Sequence, residues 1–305
     1  GTSGNLGGGV LSVISGTFDL NGRSQTVSNF GGTGGVLTNS SSTTSTITVN
    51  IPAGSAGNLG AQLTTPSTGN IDIIVNPTSG GAASNTALAN SANTFRGSIT
   101  VNGTGSLTGN DSFGLLGINT DGALGDSNND IVLNNGGAIC NMFNPSAAGG
   151  WPGHAIFTLG ASRTITLTGI GGVLRVGYGE SCGVNGEITG EGSLAKTDGG
   201  AIVLGGSVSN TYSGTTILGG TGKLVLAKTG GATAIPGNIE LSSTAWNGQN
   251  SGIVLAADEQ IANSAILTWT SFALGGGGQQ DSFFRPNGRT ETIGGLVSQG
   301  NGGKA

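Results

Sequence analysis

The amino-acid sequence predicts an all-β protein, a β-solenoid, and three observations carry that prediction. Short stretches of alternating polar and apolar residues recur along the chain. Gly, Asn, Ser or Pro bounds each of them. Several stretches also repeat one another in the same internal order.

The alternation is clearest in Thr46-Ile47-Thr48-Val49-Asn50-Ile51 and in Arg163-Thr164-Ile165-Thr166-Leu167-Thr168. It recurs in Thr215-Thr216-Ile217-Leu218 and Lys223-Leu224-Val225-Leu226. A period of two with β-branched residues is the strand signal, because successive side chains point to opposite faces. Each run is short, and the Gly and Asn around it supply the positive φ angles of tight turns. Segment 82–92 has the alanines for one helical turn, but its surroundings favour a loop.

Gly contributes 63 of 305 residues and Pro 7, which raises the question of disorder. Two facts answer it. Hydrophobic residues make up 35% of the chain, charged residues only 8%, and the net charge is −5. Disordered chains combine low hydrophobicity with high charge, the reverse of this pattern. The ten basic residues are scattered, so neither a phosphate backbone nor an anionic membrane meets a basic patch, and the sequence predicts no nucleic-acid partner. No apolar run is long enough for a membrane helix, so no membrane insertion is predicted.

Repetition decides among sandwich, barrel and solenoid. Asn93-Thr94-Phe95-Arg96-Gly97-Ser98-Ile99-Thr100-Val101 aligns with Asn210-Thr211-Tyr212-Ser213-Gly214-Thr215-Thr216-Ile217-Leu218, and the match runs over 93–107 and 210–224. Phe18-Asp19-Leu20-Asn21-Gly22-Arg23 aligns with Phe284-Arg285-Pro286-Asn287-Gly288-Arg289, over 18–30 and 284–296. The two spacings differ, so the modules vary in length. A solenoid tolerates this because each turn touches mainly its neighbours. The prediction is one continuous solenoid over 1–305. Its strands stack about 4.8 Å apart, inward Val, Ile, Leu and Phe form the core, and stacked Asn side chains form ladders. Roughly 20–25 residues per turn would give about a dozen turns and a rod on the order of 60 Å.

The phrase Asn210-Thr211-Tyr212-Ser213-Gly214-Thr215-Thr216-Ile217 resembles the autotransporter-associated β-strand repeat, also called the passenger-associated transport repeat. The resemblance is strongest over 156–226, where Phe157–Gly169 and Ile188–Thr197 also fit. It is fair at 93–107 and at both ends, and weak at 40–90 and 240–280. It implies a right-handed parallel β-helix and export to the surface of, or secretion from, a Gram-negative-type bacterium. Proteins of this kind are passengers, adhesins or large envelope proteins. No C-terminal membrane barrel accompanies the repeats, so self-translocation does not follow.

Right-handed β-helices also carry polysaccharide-degrading enzymes, and Asn119-Thr120-Asp121-Gly122 resembles the first motif of polygalacturonases. The companion carboxylate pair is missing, and glycoside hydrolysis needs two carboxylates. The single histidine, His154, is the only base for a Ser-His or Cys-His arrangement. No catalytic residue and no enzyme is therefore predicted. Asp126-Ser127-Asn128-Asn129-Asp130 sets Asp126, Asn128 and Asp130 at alternating positions, like the opening of a calcium loop. Ile131 stands where such a loop needs Gly, so solvated turn residues compete with that reading. His154, Cys140 and Cys182 fit no zinc pattern. Gly275–Gly278 lacks the Lys-Ser/Thr of a phosphate loop. Cys140 and Cys182 admit either one disulfide or two buried thiols. Trp151, Trp246 and Trp269 are either sugar-stacking platforms or core residues.

Residues 284–305 repeat the beginning of the 18–39 module and then stop. A bare strand edge at that point predicts head-to-tail self-association into a surface fibre. The alternative is an adhesin or glycan-binding passenger, with surface glycans as partner.

Overall fold

A computed structural model describes residues 6–77, 84–108, 115–141, 156–243, 251–271 and 282–299. The described residues form a stack of parallel strands, with one 3₁₀ turn at Asp121–Leu124. Three faces run along the stack, and the chain visits them in the order long face, third face, second face.

The long face is a sheet of 10 strands, from Ala56–Leu59 to Gly295–Gln299, preceded by the pair Val10–Ser12 and Asn29–Gly31. The second face has 7 strands, from Gln25–Val27 to Ile188–Gly190. The third face is divided. Three strands, Thr17–Asp19, Val36–Thr38 and Gln62–Thr64, begin it, and six from Ile156–Leu159 to Phe283–Arg285 complete it. Between them lie the non-strand segment around Asn93–Phe95 and the Asp121–Leu124 turn. The predicted β-solenoid is thus the observed fold.

Strict alternation explains why these segments are strands. Ser45–Ile51 buries every second residue, and Ile71–Pro77 stacks on it in register, Ile47 on Ile73 and Val49 on Val75. One apolar core extends from Leu11 to Leu267. Each strand completes its hydrogen bonds with the turns on either side, so a run of three to seven residues suffices. Turn length varies as predicted: Val10 stacks on Asn29, whereas Ile131 stacks on Ile165.

The two repeated phrases behave differently. The pair at 18–30 and 284–296 is a true structural repeat. Asn21-Gly22 and Asn287-Gly288 both turn through positive φ, at 47° and 76° and at 54° and 77°. Each turn leaves a third-face strand, and each is closed by an Arg N–H, from Arg23 to the Leu20 carbonyl and from Arg289 to the Pro286 carbonyl. Asn and Gly are the residues that enter this left-handed region at least cost.

The phrase at 93 and 210 is a repeated corner rather than a repeated turn. Thr94 bonds to Leu63 on the third face, but Thr211 bonds to Ile188 on the second. The following strands, Ile99–Asn102 and Thr216–Gly219, accordingly lie on the second face and the long face. Beyond them the similarity has no structural counterpart. Gly222–Leu226 is a third-face strand, whereas 103–108 is not a strand and lies over the outside of the long face. Of segment 82–92, residues 82 and 83 lie outside the described residues, and the rest departs from expectation, because Asn85–Leu88 is a long-face strand fixed by pairing with Ala56–Leu59 and Leu115–Ile118.

Candidate functional site

Several polar side chains of the described residues lie at the corners of the solenoid, where they tie one turn to the next. Asn93 and Asn210 show the basic device. The Asn93 Oδ1 accepts from the Leu63 N–H at 2.8 Å, and its Nδ2 donates to the Ala123 carbonyl at 2.7 Å. Asn210 does the same between Ile188 and Ala234, at 2.9 and 2.8 Å. The aromatic two residues later, Phe95 or Tyr212, is buried in the core. The Tyr212 hydroxyl meets the Thr216 hydroxyl at 2.6 Å. The Asn-Thr-aromatic phrase is therefore a corner staple: an amide spanning three turns with an aromatic anchor beside it.

A second device is the predicted asparagine ladder. On the second face the Asn76 Nδ2 donates to the Asn50 Oδ1, Asn102 to Asn76, and Asn134 to Asn102, at 3.0, 2.6 and 2.8 Å. Thr168 ends the ladder by donating to the Asn134 Oδ1 at 3.0 Å.

Asp121 belongs to a third device. Arg163 is buried, with 1% of its surface exposed, and grips the Asp121 carboxylate with two nitrogens, Nε to Oδ1 at 2.7 Å and Nη2 to Oδ2 at 3.1 Å. Its remaining donors reach the carbonyls of Asp126 and Asn129 at 3.0 Å. The Gly160 N–H also donates to Asp121. A planar fork saturated in this way is how a guanidinium is held away from water. The Asn119–Gly122 motif thus supplies the acceptor of a clamp between the 121–129 corner and the turn that follows.

Asp126 and Asn128 are partners of each other, and Asp130 is bonded to the next turn. The Asp126 Oδ1 accepts from the backbone and the side chain of Asn128, at 2.9 and 3.0 Å. The Asp130 Oδ1 accepts from the Thr164 N–H of the next turn at 3.2 Å. Among the described residues no group of three or more His, Cys, Asp or Glu side chains is placed to hold a metal ion.

Cys140 and Cys182 are free thiols, the second of the two arrangements the sequence allowed. Cys182 points into the main core, and Cys140 lies in an outer apolar cluster on the long face. Burial pushes their pKa values up, to about 11 for Cys140 and about 12 for Cys182, which opposes thiolate chemistry. Trp269 is half-buried against the core. Trp151, His154, Trp246 and Gly275–Gly278 lie outside the described residues.

Two buried lysines were hidden among the scattered basic residues. Lys196 stands in an inward column between Leu174 and Leu218, and its ammonium donates to the carbonyls of Asp198 and Thr221. Burial pulls its pKa down to about 7, with the Asp198 carboxylate opposing the shift. Asp198 itself pairs with Arg175 at 3.1 Å. Lys228 donates to the Gly186 carbonyl at 3.3 Å, and its N–H is taken by the Gln260 side chain at 2.8 Å. The Gln260 N–H in turn donates to Glu291 at 2.7 Å. A signal for Arg163 and Lys196 existed in the alternation: Arg163 shares its parity with Ile165 and Leu167, and Lys196 with Leu194. That places both side chains inward.

The described polar groups thus bridge successive turns, and the arrangement is that of a stack reinforced along its axis. No family model matches the chain, and no curated protein or solved structure shows significant similarity to it.

Proposed function

We propose that the protein is a structural rod of a bacterial surface fibre, exported and built by head-to-tail stacking of solenoids. One observation carries the reading. In the last described turn Leu296 is 63% exposed; Val10 at 58% and Ile14 at 72% are exposed in the first, as Tyr178 at 67% is in a middle turn. Leu296 occupies the inward column, directly on Leu267, which is fully buried. Among the described residues no strand stacks on the other side of Gly295–Gln299. Among the described residues Val10–Ser12 pairs with Asn29–Gly31 alone. A strand with an exposed inward apolar residue, such as Leu296, recruits a further strand. The likeness of the Asn-Thr-Tyr-Ser-Gly phrase to autotransporter-associated repeats supports the extracellular setting.

The test is assembly of the 305-residue chain, followed by sedimentation and electron microscopy across a concentration series. Filaments or axial oligomers are expected, and Leu296→Asp is expected to suppress them. A chain that stays monomeric at high concentration overturns the proposal.

A further inference from the structure

The outer side of the long face carries a second apolar cluster, separate from the core. Leu115, Ala138, Val173, Ala195 and Ile217 stand in register on five successive strands. They form a stripe about 20 Å long, by the spacing of stacked strands. The first four are buried although they point away from the interior, and Ile217 is partly so.

Residues 103–108 reach this stripe. They leave the second face after Ile99–Asn102, at the corner where the next turn passes from Asn134 to Gly137. The Gly103 N–H donates to the Asn134 carbonyl and the Gly105 N–H to the Asn135 carbonyl, both at 2.8 Å. The crossing is tight: a Cβ on Gly103 would lie 2.2 Å from the Gly136 carbonyl carbon. Beyond it, Leu107 packs against the stripe cluster. Thr108 lies over the long-face strand Thr216–Gly219, its Cγ2 being 3.5 Å from the position of a Cβ on Gly219. This contact joins residues far apart in the stack, with the strands Gly137–Asn141, Gly171–Arg175 and Ser193–Thr197 lying between.

That geometry matters because a solenoid is close to one-dimensional. Its stability is a sum of turn and neighbour terms, so turns open one after another from any weak point. A strap that reaches over intervening turns adds a term shared by all of them. We infer that residues 103–108 form a clasp that makes the turns between Leu115 and Gly219 open as one cooperative unit, independently of the turns before Asn85. The clasp is a conformational device of the fold and does not depend on the fibre reading.

Hydrogen exchange measured by mass spectrometry on the full chain tests it. In the wild type the amides of Leu115–Ile118, Gly171–Arg175 and Thr216–Gly219 are expected to share one opening free energy. In Leu107→Ser that common value splits, and exchange of Leu115–Ile118 and Thr216–Gly219 rises by about tenfold, the usual scale for loss of one packed apolar contact. Exchange in Ser45–Ile51 and Ile71–Pro77 stays unchanged. Gly219→Leu is the second variant, because it lifts Thr108 and leaves Leu107 in place, and the same splitting is expected. Independent opening of the wild-type turns overturns the inference. So does a Leu107→Ser effect that is absent, or equal at 45–77.

Discussion

Lys196 makes the stability of the solenoid depend on pH in a direction that one substitution removes. Its amine is buried beside Leu174 and Leu218, and burial holds its pKa at about 7 against an ordinary value of 10.5. In the unfolded chain the amine keeps its proton until about pH 10.5. Between these values the unfolded state binds more protons than the folded state, so stability rises with pH. The slope is at most about 1.4 kcal/mol per pH unit, which gives a gain of roughly 1.5–2 kcal/mol between pH 7.0 and 8.5. The window stops there because the raised thiol pKa values of Cys140 and Cys182 act in the opposite sense: their contribution is present below the unfolded thiol pKa and is lost as the pH rises. Lys228, also lowered by burial, contributes in the same sense as Lys196 and keeps a residual slope in any Lys196 variant. The perturbation is Lys196→Met, which fills the column with an apolar chain and removes the charge. Urea midpoints at pH 6.0, 7.0 and 8.5 read the effect. Wild type is expected to gain stability with pH. The variant is expected to be the more stable protein at pH 6.0, where both states of the wild-type lysine are protonated and the folded state bears the full desolvation cost. Its advantage shrinks by pH 8.5. A wild-type profile that is flat or falling refutes the reasoning, as does a variant with the full wild-type slope.

The clamp and the ladder give two further predictions. Asp121→Ala strands a buried guanidinium with only carbonyl partners, and a loss of about 3–5 kcal/mol is expected by thermal or urea unfolding; unchanged stability would show that Arg163 does not depend on Asp121. Asn102→Ala removes one bond to Asn76 and one from Asn134 in a half-buried ladder, for an expected cost of about 1–3 kcal/mol. A cost no greater than that of an ordinary exposed substitution, within about 0.5 kcal/mol, would show that the ladder contributes nothing net.

What was legible in the sequence is what neighbouring residues decide among themselves. Alternation over Thr46–Ile51 specifies a strand with one face inward, because the side-chain period of a strand is two regardless of what stacks on it. Asn21-Gly22 and Asn287-Gly288 specify the same left-handed turn, because few other residues enter that region cheaply. That stacked Asn side chains can form ladders follows from the fold class, and the buried parity of Arg163 and Lys196 was present in the alternation, but which asparagines meet, and the partners of Arg163 and Lys196, were not.

The tertiary structure decided which neighbour each segment meets. Asn93–Phe95 and Asn210–Tyr212 carry nearly the same phrase, yet one lies along the third face and the other along the second. Insertions between them shift the chain around the axis, and no local signal counts those shifts. Gly103–Leu107 matches Gly220–Leu224 in sequence, but Leu224 is a core residue and Leu107 covers the outside of the long face. Asp121 reads as a candidate acid within its own tetrapeptide and becomes the counter-ion of Arg163 only when the next turn is laid beside it. Sequence alone determined the stack and its corners, since strand period and turn conformation are properties of adjacent residues. The bridges, the clasp and the fate of each charge waited for the fold, since each needs a partner from another turn.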